Sequence, residues 1–391
     1  MYSVALIGFG RAGGRFLRAI MHRQRSVGDI VLTAVCDTNA QRLKMFKDFN
    51  IKTYTDVQVM LDAGVYDIII VATNEDSHYS ILCTIKNNPN KYRRLLVEKL
   101  LVEKPDQADS IKSMFNEEEI TVHFVERHSP VLQKLVDWMD TNDLNIKRAT
   151  FFWGKYRLHD HRPTIGVTSE ISHPIDLILM LSGITTGTAF EILQGSYLFS
   201  DYTYSGRQIL DTINVNMRFG DNLIINGCSS FIWDKRERRL LLFLSNIDGL
   251  VTHIAAIDFD NPYWDIDTCS ISKVVIGEGK RKLIHKWEIK KEDIHPDIFC
   301  ISKTSNFLAE NINEIKGEKK SSTLARLSQS CYIQSIVNSL EIDARQKVFD
   351  TPIFSAQRPN LKSYEDCDDL LYNFLKGDIS EAGIIRWDQE F

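Results

Sequence analysis

At 391 residues the chain is long enough for two domains of about 150 residues each. With 43% hydrophobic and 25% charged residues and a formal net charge of -5, it reads as a soluble globular protein and gives no ground for a nucleic-acid or anionic-membrane partner. No run approaches the ~20 apolar residues of a membrane span, and the start has no charged n-region followed by an apolar h-region and a cleavage site.

Val4-Ala5-Leu6-Ile7 is an apolar run without a polar break, as expected of a strand buried on both faces of a parallel sheet. It leads into Gly8-Phe9-Gly10-Arg11-Ala12-Gly13, after which residues 15–21 take up helical spacing. Strand, G-x-G-x-x-G and helix in that order form the context of a dinucleotide fingerprint. In this reading Gly8 allows a tight turn, Gly10 leaves room for a pyrophosphate and Gly13 lets helix and strand approach closely. The helix start then turns its free N–H groups toward an anion.

A second apolar strand, residues 30–36, ends at Asp37. A carboxylate in this neighbourhood accepts hydrogen bonds from the adenosine ribose and repels a 2′-phosphate. NAD(H) is therefore favoured and NADP(H) stays open, with Arg42 the residue that would favour the second.

Further along, residues 39–49 read as a charged amphipathic helix, Thr53-Tyr54 as a short strand, and Thr55-Asp56 as the cap of a helix through Leu61 that Gly64 stops. Residues 67–72 form a strong strand. It ends in the polar loop Thr73-Asn74-Glu75-Asp76-Ser77-His78, at the edge where ligands of doubly wound sheets bind. Residues 79–86 are helical, and residues 94–97 make a further strand that runs into Glu98-Lys99.

GFGRAG, VCD, IIIVATNEDSHYSI and LLVEK together resemble the family of glucose-fructose oxidoreductase and inositol dehydrogenase, the Gfo/Idh/MocA type. The resemblance implies an α/β protein: an N-terminal Rossmann domain with a doubly wound parallel sheet, then a C-terminal α+β domain with a large, mainly antiparallel open sheet. It places Gly8, Phe9, Gly10, Arg11, Ala12, Gly13, Asp37, Ala72, Thr73, Asn74, His78, Glu98 and Arg127 at the cofactor. In the family a strand ends in Glu-Lys-Pro and the lysine is catalytic. Here Glu98-Lys99-Leu100 keeps the spacing, while Glu103-Lys104-Pro105 keeps the proline. Lys99 ends the apolar strand directly and is preferred, with Lys104 as its rival. Leu100 stands where the family has its proline. A cis bond before leucine costs about 3 kcal/mol, which puts the family's cis peptide there in question.

Residues 109–118 and 132–139 are read as helices, with residues 120–125 as a strand between them. Glu126-Arg127-His128-Ser129-Pro130 resembles the family's exit from the cofactor domain. The expected division is 1–126 for the Rossmann domain, 127–348 for substrate binding and oligomerisation, and 349–391 for an extension of unassigned role. Residues 148–153 form a strand, followed by a polar loop with Tyr156, Arg157, His159, His161 and Arg162. That loop is read either as substrate contact or as solvated surface. Its two histidines with Asp160 lack further well-spaced ligands, so no metal is expected.

In residues 169–181 His173 and Asp176 match the family's Asp-x-x-x-His helix, but the first Asp is replaced by Ser169. Glu170 is displaced by one position, a rotation of ~100°, and is no simple substitute. Residues 190–288 are mostly β, and residues 296–315 and 323–340 are helical. In the family the outer face of the large sheet makes the oligomer contact, which implies a homodimer or homotetramer. The seven cysteines lack C-x-x-C pairing. They read as buried thiols of a reducing compartment, and with a first strand starting almost at Met1 the expected location is cytoplasmic.

A nicotinamide cofactor transfers hydride, and the protein places the substrate and moves a proton. His173 suits a general base and Lys99 a donor to the reacting oxygen. Equally, His173 ahead of Pro174 reads as a helix-start residue satisfied by its neighbours, and Asp176 as an orienting acid. The expected activity is NAD(P)-dependent hydride transfer to or from a polar small molecule such as a sugar or cyclitol. Alternatives are an imine or other double-bond reductase of the biliverdin or thiazolinyl imine reductase type, and a nucleotide-binding sensor or scaffold without turnover.

Overall fold

A four-residue stretch, Ile68-Ile69-Ile70-Val71, is wholly buried, because a strand with helices on both faces has no solvent side. Such strands build the first of two compact units in the computed structural model. The structure describes residues 1–157, 165–200, 208–221, 223–275, 277, 279–318 and 320–347. His159, with the rest of its loop from residue 158 to 164, and the 349–391 extension lie outside the described residues.

The chain begins β1 (Tyr2–Ile7), α1 (Arg11–Ser26), β2 (Ile30–Cys36), β3 (Lys52–Tyr54), α2 (Val57–Ala63), β4 (Ile68–Val71) and α3 (Glu75–Lys86). It continues with β5 (Arg94–Glu98), α4 (Pro105–Met114) and β6 (Ile120–His123). There follow α5 (Pro130–Thr141), β7 (Asn145–Tyr156), α6 (Thr168–Leu181), β8 (Phe190–Ser200), β9 (Ile209–Phe219) and β10 (Leu223–Ser230). Then come β11 (Ile232–Ser245), β12 (Val251–Asp258), β13 (Thr268–Val275), β14 (Lys280–Glu288), α7 (Ser302–Ile315), β15 (Ala325–Arg326) and α8 (Leu327–Gln346).

The first unit comprises Met1–His128 and Ile294–Gln334. Its sheet has the order β15-β6-β5-β4-β1-β2-β3, parallel throughout except for the antiparallel β15. Strand order reverses between β1 and β4, which opens a crevice beyond their carboxyl ends. Phe16, Leu17 and Ile20 of α1 share one core with Val4, Leu6, Ile68 and Ile70 of the sheet and with Phe307, Leu308 and Ile312 of α7. That shared core explains a difference from the sequence reading, which gave residues 294–334 to the second domain. The apolar stripe of α7 buries itself against α1 instead. Lys303 of α7 also forms a buried ion pair with Glu126.

The second unit comprises Ser129–Asp293 and continues from Ser335. Its sheet has the order β14-β13-β12-β11-β7-β10-β9-β8. Strands β7 and β10 are parallel and the other pairs antiparallel, so the sheet is mainly antiparallel as expected. β7 alternates, with Phe151 and Trp153 buried and Phe152 exposed. Helix α6 is buried at every position but Met180.

Three local readings change. Residues 39–49 yield only a short 3-10 turn, Arg42–Phe46, because Leu43, Met45 and Phe46 all turn inward within four residues. Helix α3 starts at Glu75, with Asn74 as N-cap and Glu75 and Asp76 in its first turn, so four of the six residues expected as a polar loop are helical. Helix α4 starts at Pro105 rather than Asp109, since proline at a first helical position gives up an N–H that would be unbonded anyway. Among the described residues no helix is long and apolar enough to cross a membrane.

Candidate functional site

The loop after β1 is shaped by what its glycines exclude. Gly8 has φ +89°, and a Cβ there would stand 2.6 Å from Thr73 Cγ2 and 2.8 Å from the Ala72 backbone. A Cβ on Gly13 would stand 2.1 Å from the Gly8 carbonyl oxygen. At Gly10, by contrast, a Cβ would meet only Arg42 Nη1 at 3.9 Å, so this face of the loop is open. Gly10 is the N-cap of α1, whose first turn carries no acidic residue and no side-chain cap. Its free N–H groups and the positive end of the helix dipole suit an anion.

Asp37 closes the other side. Its Oδ2 accepts from the Phe9 backbone N–H at 2.6 Å, and its Oδ1 accepts from the Asn39 N–H at 2.8 Å. Arg42 Nη1 lies 3.7 Å from Oδ2. The glycine loop is thus pinned to the carboxylate at the end of β2. A groove of about 510 Å³ runs between them, with Gly8, Gly10, Asp37, Arg42, Thr73 and Asn74 among its lining. Cys36 also borders it, but burial, then the charges of Asp37 and Asp56, push its thiol up to about 12, so it stays protonated.

Beyond the groove the ends of β4 and β5 are tied together. His78 is fully buried, with Nδ1 2.9 Å from the Leu100 carbonyl oxygen and Nε2 3.1 Å from that of Thr73. Glu98 and His123 are register partners on β5 and β6, and His123 Nδ1 lies 2.7 Å from Glu98 Oε1. Burial pushes the Glu98 carboxyl up, but His123, by charge and hydrogen bond, with Lys99 and Arg15, brings it below the usual range. The His123 ring rests against Phe16 and Phe307.

Lys99 follows Glu98 directly and is half-buried, and the Lys99–Leu100 peptide is cis. The sequence left a cis bond before leucine in question. The structure has one, and Leu100, Leu101 and Val102 behind it are all buried. Lys104 is exposed and starts α4, its backbone N–H held by Gln107 Oε1 at 3.1 Å. Arg127 does not line the groove. It is buried, with Nη1 3.3 Å from Gln329 Oε1 and 3.5 Å from the Thr323 carbonyl oxygen.

In the second unit Glu170, His173 and Asp176 are all buried on α6. His173 stacks on Trp153 at 5.9 Å between ring centroids. Glu170 accepts from Lys155 at 2.7 Å and lies 3.6 Å from Arg238. Arg238 pairs with Asp260 at 2.5 Å and lies over the rings of Trp153 and Trp264. Arg157 covers Phe231 at 4.5 Å, while Tyr156 is exposed. Sequence reasoning missed Arg238 and Asp260. The available signal was the unbroken charge run 234–239 interrupting the alternation of an otherwise β-rich stretch.

Residues 2–125 match a family model described as "Oxidoreductase family, NAD-binding Rossmann fold". Among solved structures, the UDP-N-acetylglucosamine 3-dehydrogenase GnnA from Acidithiobacillus ferrooxidans is 16% identical with a TM-score of 0.64, covering 88% of this chain and 98% of its own. Levoglucosan dehydrogenase in complex with NADH and L-sorbose is 13% identical with a TM-score of 0.68, covering 90% and 99%. An oxidoreductase domain protein from Kribbella flavida is 12% identical with a TM-score of 0.69, covering 88% and 97%. At these identities the likeness concerns the fold. No curated protein matches the sequence.

Proposed function

Taking residues 2–125 as the nucleotide-binding domain of the Gfo/Idh/MocA oxidoreductases, we propose that this chain binds NAD(H) in the Gly10–Asp37 groove and transfers hydride to or from a polar small molecule. The observation that carries the reading is the contrast between Gly8 and Gly13, which have no space for a side chain, and Gly10, which has it. An open backbone at the start of α1 is the cradle a diphosphate needs. Phe9, Arg11 and Ala12 continue that loop, and Ala72, Thr73 and Asn74 supply the facing wall.

Asp37 would take the adenosine ribose hydroxyls, which supports NAD(H) over NADP(H), since its fixed carboxylate repels a 2′-phosphate. Arg42, 3.7 Å away, is the cation that would have to swing over for NADP(H) to bind. A bound nicotinamide supplies the hydride acceptor or donor. The chain's own part is to hold the reacting oxygen and move its proton. We assign the first task to Lys99 and the second to His173. Glu98, oriented by His123, provides the negative charge beside Lys99. Lys99 is preferred to Lys104 because it ends β5 and is partly enclosed, whereas Lys104 points into solvent as a helix cap.

Sugars and cyclitols are the substrate class we favour. The structural neighbours named as dehydrogenases of a nucleotide sugar and of an anhydrosugar support it by analogy of fold. A second reading, reduction of a C=N or related double bond, is favoured by Ser169, which offers no carboxylate, and by Glu170, which is already engaged by Lys155 and Arg238. We also propose self-association through the outer face of the second unit's sheet, where Phe152, Leu193 and Leu198 are exposed. The test of function is a turnover screen of sugars, cyclitols and imines with NAD(H) and NADP(H), beside nucleotide-dependent thermal shift. Binding without turnover across that panel would replace the enzyme reading with a sensor.

A further inference from the structure

Three side chains of the first unit that the reading above does not use converge at its surface. His22 comes from the C-terminal half of α1, and His295 and Asp297 flank Pro296 at a single 3-10 turn, Pro296–Ile298. His22 Nδ1 lies 3.5 Å from Asp297 Oδ2, and His295 Nδ1 lies 4.0 Å from Asp297 Oδ1. The two imidazole centroids are 4.8 Å apart. One ligating atom from each of the three residues falls within 4.8 Å of the other two.

We propose that His22, His295 and Asp297 bind a divalent transition-metal ion of zinc-like preference, which clips α1 to the turn at residues 295–297. Imidazole nitrogens with one carboxylate suit Zn²⁺ and its neighbours in the first transition row, rather than Mg²⁺ or Ca²⁺. Bonds of 2.0–2.1 Å in tetrahedral geometry place zinc ligand atoms about 3.3 Å apart. The His22–Asp297 pair already has nearly that spacing. His295, with 58% of its side chain exposed, has room to close the remainder by rotation.

The electrostatics fit the same assignment. Among the described residues the Asp297 carboxylate has the two imidazoles as its ionic neighbours and no lysine or arginine paired to it. His295 Nδ1 now accepts from the Asp297 backbone N–H at a long 3.2 Å, a contact the metal would displace. A fourth, water ligand would complete the shell.

The test uses the full chain treated with a chelator and then titrated with Zn²⁺ by calorimetry and thermal unfolding, with Mg²⁺ as control. The expected result is one equivalent of Zn²⁺ at micromolar Kd and a rise in Tm of about 5 °C at hundredfold excess over Kd. Mg²⁺ should have no effect. Co²⁺ should give the visible absorption of a four-coordinate nitrogen and oxygen site. His295→Ala, at an exposed position, and Asp297→Asn should each weaken Zn²⁺ at least ~10-fold while leaving the metal-free Tm near that of the parent. Absence of saturable binding would overturn the proposal, as would undiminished affinity in both variants, which would place the ion elsewhere. Neither readout depends on nicotinamide nucleotide, so this inference stands or falls apart from the proposed reaction.

Discussion

His78 Nδ1 lies 2.9 Å from the carbonyl oxygen of Leu100, while Nε2 of the same ring lies 3.1 Å from that of Thr73. One buried imidazole thus joins the groove wall after β4 to the turn that carries Lys99. His78→Phe keeps the ring but removes the single N–H that an uncharged imidazole can give to one of these carbonyls. An orphaned buried acceptor costs about 1–3 kcal/mol, and the variant should lose that much in urea unfolding. Its NADH affinity should fall as well, because Thr73 lines the groove. An unchanged urea midpoint would show that the ring only fills space.

The two lysines separate by enclosure. Lys99→Ala should abolish turnover, by 10²-fold or more, and leave NADH affinity within about twofold. Lys104→Ala should leave turnover near that of the parent, because an exposed helix-cap side chain is free to be lost. Steady-state rates on the best substrate of the screen, with parallel NADH titrations, decide the matter. Loss in Lys104→Ala with retention in Lys99→Ala would reverse the assignment.

Cofactor choice rests on Asp37 and Arg42. Asp37→Ser removes both the proposed ribose acceptor and the charge opposing a 2′-phosphate, while leaving Arg42 in place. NADH binding should weaken about 10-fold, or about 1.4 kcal/mol, and NADPH binding should tighten. Adding Arg42→Ala to that variant should abolish the gain for NADPH. Fluorescence titration with both nucleotides measures each step.

How much of this was legible in the sequence follows from how local each feature is. The glycine loop, Asp37 and the buried strands β1, β2 and β4 were readable because their signals lie within a few neighbouring residues. The start of α4 was placed four residues late, at Asp109, because Lys104-Pro105 fits both a rival catalytic motif and a helix start, and only packing separates the two. The cis bond at Leu100 has no local signature when the residue is not proline. The charge run 234–239 marks Arg238 but does not reveal its role, which depends on Asp260, Glu170, Trp153 and Trp264 from other parts of the second unit.

That cluster yields its own prediction. Arg238→Met would leave Asp260 and Glu170 buried without their shared cation, at a cost of about 3–5 kcal/mol. Arg239→Met is the matched control. Arg239 is 42% exposed and its contact with Asp258 is 3.5 Å, so the loss should stay under ~1 kcal/mol. Urea unfolding of the two variants side by side tests this.

Stability should also fall with pH earlier than carboxylates alone would cause. Burial holds His128, His22 and His253 below their ordinary value of 6.5 in the folded chain. The unfolded chain therefore binds more protons once the pH drops below about 6.5, and the folded state loses ground from there downward. Glu98, lowered in the folded state, adds a second loss as pH falls below about 4.5. The urea midpoint should be flat from pH 7 to 8 and decline from pH 6.5 to 5. A flat profile down to pH 5 would contradict the buried neutral histidines.

The most direct measurement is a parallel titration of the purified chain with NADH and NADPH, followed by nucleotide fluorescence. The account predicts saturable binding at one site per chain, tighter for NADH, and at least tenfold weaker in Gly10→Val, whose side chain would fill the open face of the loop. No saturable binding of either nucleotide, or equal affinity in Gly10→Val, would contradict it.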